Sequence, residues 1–160
     1  MPRYFTLRES EQLLPEVERA LREAVFQKAE YQSAEQELRG SNRRIRMDGG
    51  SQVNRGAYLA VRARRDTSTA ALKEALERIE RMGVLVKDLD VGLIDFLTHY
   101  HGREVCLCWK LGEERIAFWH DTEEGFRGRK PIDEEFLAGH AGDSGPGDAG
   151  RGDGGSDTPN

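Results

Sequence analysis

Eight arginines lie between residues 39 and 65, and arginine suits bidentate contacts with phosphate better than lysine does. The one acid in this stretch is Asp48, so the stretch has a formal charge of +7, whereas the whole chain carries −5. The arginines are Arg39, Arg43, Arg44, Arg46, Arg55, Arg62, Arg64 and Arg65. Such an asymmetry favours binding of a polyanion, with RNA as the first candidate. The alternative is a solvated helix end, or one that meets the acidic tail of the same chain.

A second group combines histidine and cysteine, which are preferred zinc ligands. His99 and Cys106 are predicted to be neighbours on adjacent strands, with His101 and Cys108 two residues away on the same face. Four such ligands can close a tetrahedral site, although alternate strand positions are farther apart than the paired ligands of most structural zinc sites. His120 joins the set only if the second hairpin shifts by one residue. The alternative is that the cysteines are small buried apolar side chains and the histidines are surface residues.

A glycine-flanked turn, Gly125–Lys130, offers a third possibility. Its backbone amides with Arg127 and Arg129 could hold an anion, although it lacks the ending of a phosphate-binding loop. The alternative is structural: Phe126 fills the core, and Arg129 pairs with an acid such as Asp95 or Glu113.

General acid–base chemistry has weaker support. The carboxylates available for it are Asp88, Asp90, Asp95, Glu113 and Glu114. Nothing in their spacing makes them converge, and no serine nucleophile with a usable histidine is apparent.

Two heptad-patterned stretches must position the arginines. Leu14–Ile45 and Tyr58–Met82 flank a turn at Asp48–Ser51, which predicts an antiparallel, coiled-coil-like helical hairpin over residues 15–82. In this register Lys28 and Glu35 fall near Ser68 and Arg65. A capping box at Thr6 predicts a short helix over residues 4–14, which a break at Pro15 separates from the hairpin.

After Gly83 the periodicity changes to that of strands. Ile94–His101, Arg103–Leu111 and Arg115–His120 form a predicted antiparallel meander within residues 83–133, with two-residue loops at Gly102–Arg103 and Gly112–Glu113. The apolar face of this meander carries Ile94, Phe96, Tyr100, Val105, Leu107, Trp109, Leu111, Ile116 and Phe118, with His120 at its end. The opposite face carries Asp95, His99, His101, Glu104, Cys106, Cys108, Lys110 and Trp119. Helices followed by strands make the fold α+β.

Composition limits the remaining choices. We expect one domain over residues 1–138 and a disordered tail over residues 139–160, which is rich in Gly, Asp and Ser. No apolar run is long enough to span a membrane, and the N-terminus does not resemble a secretory signal. Two cysteines on one strand face are poorly placed for a mutual disulfide, so a reducing cytoplasm is expected.

Several segments together resemble a known family. These are Phe5–Leu7, Leu13–Pro15, Val86–Phe96, Leu107–Glu113, Phe118–His120 and Gly125–Ile132. In combination they resemble the prokaryotic domain of unknown function 2203 over about residues 4 to 133. The resemblance implies a similar fold and transfers no activity, so matching residues are candidates for a shared site.

The sequence therefore favours a non-enzymatic interaction protein whose arginine-rich hairpin end binds a polyanion such as RNA. One alternative is a metal-binding protein or metal-dependent enzyme that uses the His/Cys face, with zinc as the candidate cofactor. Another is a scaffold whose helices pair with a partner coiled coil.

Overall fold

The computed structural model describes residues 2–48 and 54–140. The glycine-rich part of the predicted hairpin turn and the predicted tail from residue 141 onward lie outside the described residues. Within the described ranges, no helix is long and apolar enough to cross a membrane.

The first helix, α1, runs from Leu7 to Asp48. The backbone amide of Glu9 donates to the Thr6 hydroxyl at 3.0 Å, which satisfies one of the free amides of the first turn. The predicted break at Pro15 is wrong, because α1 continues through this residue. Proline removes one backbone hydrogen bond and crowds the preceding turn, but the buried Leu14 and Val17 on either side give this part of the helix a packed face that holds it together.

The second helix, α2, runs from Arg55 to Arg81. Asn54 caps its start by accepting the amide of Ala57 at 3.1 Å. Gly83 follows its end at φ 85°, a left-handed conformation that glycine adopts without a steric penalty. The stop predicted at Gly83 is confirmed.

The two helices form the predicted antiparallel hairpin. Arg65 on α2 contacts Glu35 on α1 at 3.2 Å, as the heptad register predicted. Lys28 pairs instead with Asp90, which follows the hairpin in the chain. Most of the buried side chains of the hairpin are small, which allows the two helix backbones to approach closely. The buried residues are Val17, Ala20, Leu21, Ala24, Ala34, Leu38, Ser68, Ala75 and Ile79.

The strands follow the helices, so the fold is α+β as predicted. They are β1 (Leu85–Asp88), β2 (Leu93–Tyr100), β3 (Arg103–Lys110), β4 (Phe118–Asp121) and β5 (Lys130–Pro131), in the sheet order β1-β2-β3-β4-β5. A 3₁₀ turn at Phe126–Gly128 precedes β5, and a short helix, α3, covers Glu134–Gly139. The pairs β3–β4 and β4–β5 are antiparallel.

Two compact units divide the chain. Among the described residues, one unit comprises 15–48 and 54–93, and the other comprises 2–14 and 94–140. The expectation of a single domain over residues 1–138 stays a prediction.

Both predicted hairpin loops are wrong by one residue or more. The β2–β3 turn consists of His101 and Gly102, at φ 49° and 77°, because a two-residue hairpin loop of this type needs two left-handed residues. The connection from β3 to β4 occupies residues 111–117, so β4 begins at Phe118 rather than at Arg115. In that connection the Trp109 indole donates to the Glu113 carbonyl at 3.1 Å.

The longer connection changes the register of β4 by one residue. Cys106 lies opposite His120, and Leu107 lies opposite Trp119. Because successive side chains alternate between faces, His120 joins the face of Cys106, whereas Trp119 joins the face of Leu107. Phe118 lies opposite Cys108, so the register reverses the predicted placement of Phe118, Trp119 and His120.

The predicted tail begins too early, because Gly139 and His140 belong to the fold. Asp133 caps α3 by accepting the amide of Phe136 at 2.9 Å. The buried Phe136 ring stacks on Tyr100 and Trp119, with ring centroids 4.9 Å apart in each case. These aromatic contacts fasten the last described helix to the sheet.

Replacing Pro15 by alanine restores the missing backbone hydrogen bond inside α1. We expect Pro15→Ala to raise the free energy of unfolding by about 1–3 kcal/mol, since proline is about 3 kcal/mol less favourable than alanine inside a helix. Urea denaturation followed by circular dichroism measures the change. The neighbouring exposed Glu16→Ala is the control and should change stability by less than about 0.5 kcal/mol. Destabilisation by Pro15→Ala would contradict this account.

Candidate functional site

The end of α1 carries a row of exposed cations. Arg39, Arg43 and Arg46 recur at steps of four and three residues, which places them on one side of a helix. Together with Asn42 and Met47 they line an open groove of about 460 Å³. No described carboxylate forms a salt bridge with any of these three arginines. The groove therefore has three guanidinium groups available to a ligand.

The other arginines of the predicted cluster divide into two groups. Arg64 and Arg65 are held by acids of α1, with Arg64 3.0 Å from Glu37 and Arg65 3.2 Å from Glu35. They stabilise the hairpin. Arg44, Arg55 and Arg62 remain exposed. A second open groove, of about 370 Å³, is lined by Glu37, Ser41, Arg44, Asn54, Ala57, Tyr58 and Val61.

The structure brings the predicted metal ligands together only in part. Cys106 and Cys108 are buried on β3, and neither forms a disulfide. His99 lies against the ring of Tyr4, with the ring centroids 4.2 Å apart, and His101 is exposed in the β2–β3 turn. The histidine that joins the cysteines is His120 instead, because of the register of β4.

A buried cluster forms around His120 and Asp95. Nε2 of His120 lies 3.0 Å from Oδ1 of Asp95, and Nδ1 donates to the carbonyl of Asp121 at 2.7 Å. Both ring nitrogens thus serve as donors, which is the pattern of an imidazolium ion. The hydrogen bonds to Asp95 and Cys108 outweigh burial and raise the pKa of His120 to about 10. The pair is a buried carboxylate–imidazolium ion pair.

The thiol of Cys108 contacts both members of this pair. Burial raises the pKa of the Cys108 thiol, and the hydrogen bond from His120 opposes that effect. A thiol that stays protonated at neutral pH is a poor nucleophile. Nucleophilic chemistry at Cys108 is therefore not favoured by this arrangement.

The same cluster brings three possible metal-ligating side chains together. Oδ2 of Asp95 is buried and has no hydrogen-bond partner among the described residues. One ligating atom each of Asp95, Cys106 and His120 lie within 4.8 Å of one another. Carboxylate, thiolate and imidazole are all zinc ligands, so the cluster has the chemistry of a metal site.

In the glycine-flanked turn, Arg129 has a structural role. This side chain contacts Glu113 at 2.7 Å, one of the two predicted partners, and lies over the rings of Phe118 and Phe126. Phe126 is 45% exposed, so the expectation that it fills the core is wrong. Arg127 is exposed in the 3₁₀ turn.

Two of the remaining candidate acids, Asp88 and Asp90, are engaged locally. Asp88 accepts the amide of Asp90 at 2.9 Å, and the side chain of Asp90 pairs with Lys28. Glu114 is exposed. Among the predicted carboxylates, Asp95 is the one that is fully buried beside a histidine.

A buried residue that the sequence did not single out is His140. Its Nε2 accepts the amide of Leu7 at 3.0 Å, so in the neutral ring the proton is on Nδ1, which lies 3.2 Å from the Thr98 hydroxyl. Asp133, three residues before Phe136, was the available signal, because this spacing is typical of a capped helix. Composition places residues from 139 onward, which include His140, in the predicted tail.

Comparison with known proteins gives one match. The family described as "Uncharacterized conserved protein (DUF2203)" matches residues 3–132, which includes Asp95, Cys106, Cys108, His120 and the arginine row of α1. No curated protein and no solved structure matches the chain.

Replacing Asp95 by asparagine tests the buried ion pair. Loss of the carboxylate leaves a buried imidazole without its counter-charge, so Asp95→Asn should lower the free energy of unfolding by about 3 kcal/mol at neutral pH. The pKa of His120 is raised on folding, so its stabilisation is complete below about pH 6.5 and is lost as the pH rises through about 10. The difference between wild type and variant should therefore shrink in alkaline buffer.

Urea denaturation at several pH values, with EDTA to keep stray metal ions off the thiols, measures this difference. Asp90→Asn, which breaks the exposed pair with Lys28, is the control and should cost no more than about 1 kcal/mol. Equal effects of the two substitutions, or a difference that grows in alkaline buffer, would contradict the ion-pair assignment.

Proposed function

The chain belongs to the DUF2203 family, whose description assigns no reaction, and from the geometry of its hairpin we propose that it is a non-enzymatic RNA-binding protein. The binding surface is the groove of Arg39, Arg43 and Arg46 near the end of α1. The observation that supports this proposal is that three exposed guanidinium groups share one groove without a described carboxylate partner.

The spacing of these arginines is costly to the isolated helix. Like charges three and four residues apart destabilise a helix by a few tenths of a kcal/mol per pair. Arg64 and Arg65, in contrast, are compensated, since they pair with glutamates of α1. A row of phosphates would supply the missing counter-charges and relieve the repulsion.

Arginine also determines the kind of contact. Its planar guanidinium group makes bidentate hydrogen bonds to phosphate oxygens, and it stacks on nucleobases. Contacts to phosphates position a protein on nucleic acid without reading its sequence. Binding should therefore depend strongly on salt and weakly on RNA sequence. The exposed Arg44, Arg55 and Arg62 extend the positive surface beyond the groove.

The test is fluorescence anisotropy with a labelled single-stranded RNA at several salt concentrations. The triple variant Arg39→Gln, Arg43→Gln, Arg46→Gln removes three phosphate contacts. It should weaken binding by about tenfold or more and reduce the slope of log K against log salt by about 2, because each contact to single-stranded RNA contributes about 0.7.

The matched control makes the same charge change away from the groove. Arg19, Arg22 and Arg81 are exposed residues of the same unit, and replacing them together by glutamine should leave the slope unchanged. Equal losses in the two triple variants would show attraction by net charge alone. That result, or no binding of RNA by the wild-type protein in low salt, would contradict the proposal.

A further inference from the structure

The cluster around Asp95 contains more ligating capacity than its own hydrogen bonds use. Oδ1 of Asp95 contacts His120, whereas Oδ2 is buried and has no hydrogen-bond partner among the described residues. A buried acceptor without a partner is costly, and most such groups in folded proteins are satisfied by protein, water or an ion. Asp95 is fully buried, so bulk solvent does not supply that partner.

We propose that Asp95, Cys106 and His120 bind a divalent, thiophilic metal ion, with zinc as the ion their chemistry fits best. The three side chains offer one carboxylate, one thiolate and one imidazole, and their ligating atoms lie within 4.8 Å of one another. Zinc bonds of about 2.0–2.3 Å in a tetrahedron put ligand atoms about 3.5 Å apart. Small side-chain rotations therefore suffice to close the site.

The strand pairing prepares His120 for this role. Cys106 and His120 lie directly opposite each other on β3 and β4, so the backbone ladder fixes their separation. Nδ1 of His120 donates to the carbonyl of Asp121 at 2.7 Å, so Nε2 faces Asp95, and a bound ion would displace the Nε2 proton to solvent. Metal-binding histidines commonly anchor the second ring nitrogen on a carbonyl or carboxylate in this way.

Cys108 lies beside these three ligands. Its thiol contacts the side chains of His120 and Asp95, and it lies on the same strand face as Cys106. The one thiolate and one carboxylate of the three-residue group balance the two charges of the cation. Asp95, Cys106 and His120 are three protein ligands, which leave one position of a zinc tetrahedron to a fourth ligand.

This ligand set differs from the one that the sequence suggested. His99 and His101 contact other residues and serve here as internal controls. The proposed metal site belongs to the unit of residues 2–14 and 94–140, whereas the arginine groove belongs to the other unit. The metal proposal therefore does not depend on RNA binding, and each can fail alone.

Cobalt(II) titration of the full-length, tag-free protein after EDTA treatment tests the proposal. Wild-type protein should bind about one molar equivalent, with a thiolate-to-cobalt charge-transfer band that zinc abolishes by competition. Zinc should also raise the thermal midpoint of unfolding, because an ion that binds the folded state stabilises it. Absence of both the charge-transfer band and the thermal shift in the wild-type protein would overturn the proposal.

Variants assign the ligands. Cys106→Ser and Asp95→Asn should each weaken cobalt binding by at least about tenfold, and His99→Gln should leave it unchanged. Circular dichroism of each metal-free variant establishes that it is folded. Should either ligand variant unfold, wild-type cobalt binding still decides the proposal. Wild-type binding that persists in both ligand variants, or that is lost equally in His99→Gln, would overturn the assignment.

Discussion

The buried pair of His120 and Asp95 is the contact on which the central strands depend. A carboxylate with no exposed surface is tolerated only with a counter-charge and hydrogen bonds, and His120 supplies both at 3.0 Å. The pairing of Cys106 with His120 is the register that makes this possible. A shift of one residue would move His120 to the other face and leave Asp95 alone in the interior. The pair therefore selects one register over its neighbours, besides any ligand that it holds.

The helical hairpin depends on the pairing of charged side chains more than on the burial of apolar ones. Its buried positions are mostly alanine and serine, so it gains less from apolar burial than a leucine-rich coiled coil would. Cross-helix pairs such as Arg65 with Glu35 help to fix its register. Beyond Glu37 the glutamates of α1 end while the arginines continue, and Arg39, Arg43 and Arg46 there are available to a ligand. The arginine guanidinium group thus either pairs with an acid of the other helix or stays available to a ligand, depending on its position along the hairpin.

Local patterns in the sequence predicted much of this fold. The heptads of the two arms, the cap at Thr6, the stop at Gly83 and the pair of Arg129 with Glu113 follow from spacing and charge, and all are present. The break at Pro15 was wrong because one lost hydrogen bond does not end a helix that is packed on either side. The strand registers were wrong because glycine at 102 and 112 marks a turn without saying which residue precedes it.

The candidate metal cluster shows the same limit. Cys106 and Cys108 were visible as possible ligands, but their histidine partner depends on a register that the seven-residue connection determines. Asp95 has no neighbouring residue in the sequence that reveals its burial. Long-range placement of this kind arises from the packing of whole strands, which periodicity does not encode.

His140 has a consequence for where this chain can be cut. Its ring accepts the first amide of α1 from Leu7, its backbone forms a bridge with Tyr100, and the preceding Gly139 carbonyl accepts the amide of His101 at 3.0 Å. Truncation after residue 138, where composition alone would end the domain, removes all three of these contacts at once. The amide of Leu7 would lose its bonding partner, at a cost of about 1–3 kcal/mol if water does not replace it. A protein shortened in this way would keep every helix and strand that the sequence predicts, yet the start of α1 near the N-terminus would fray because Leu7 has lost its contact with His140.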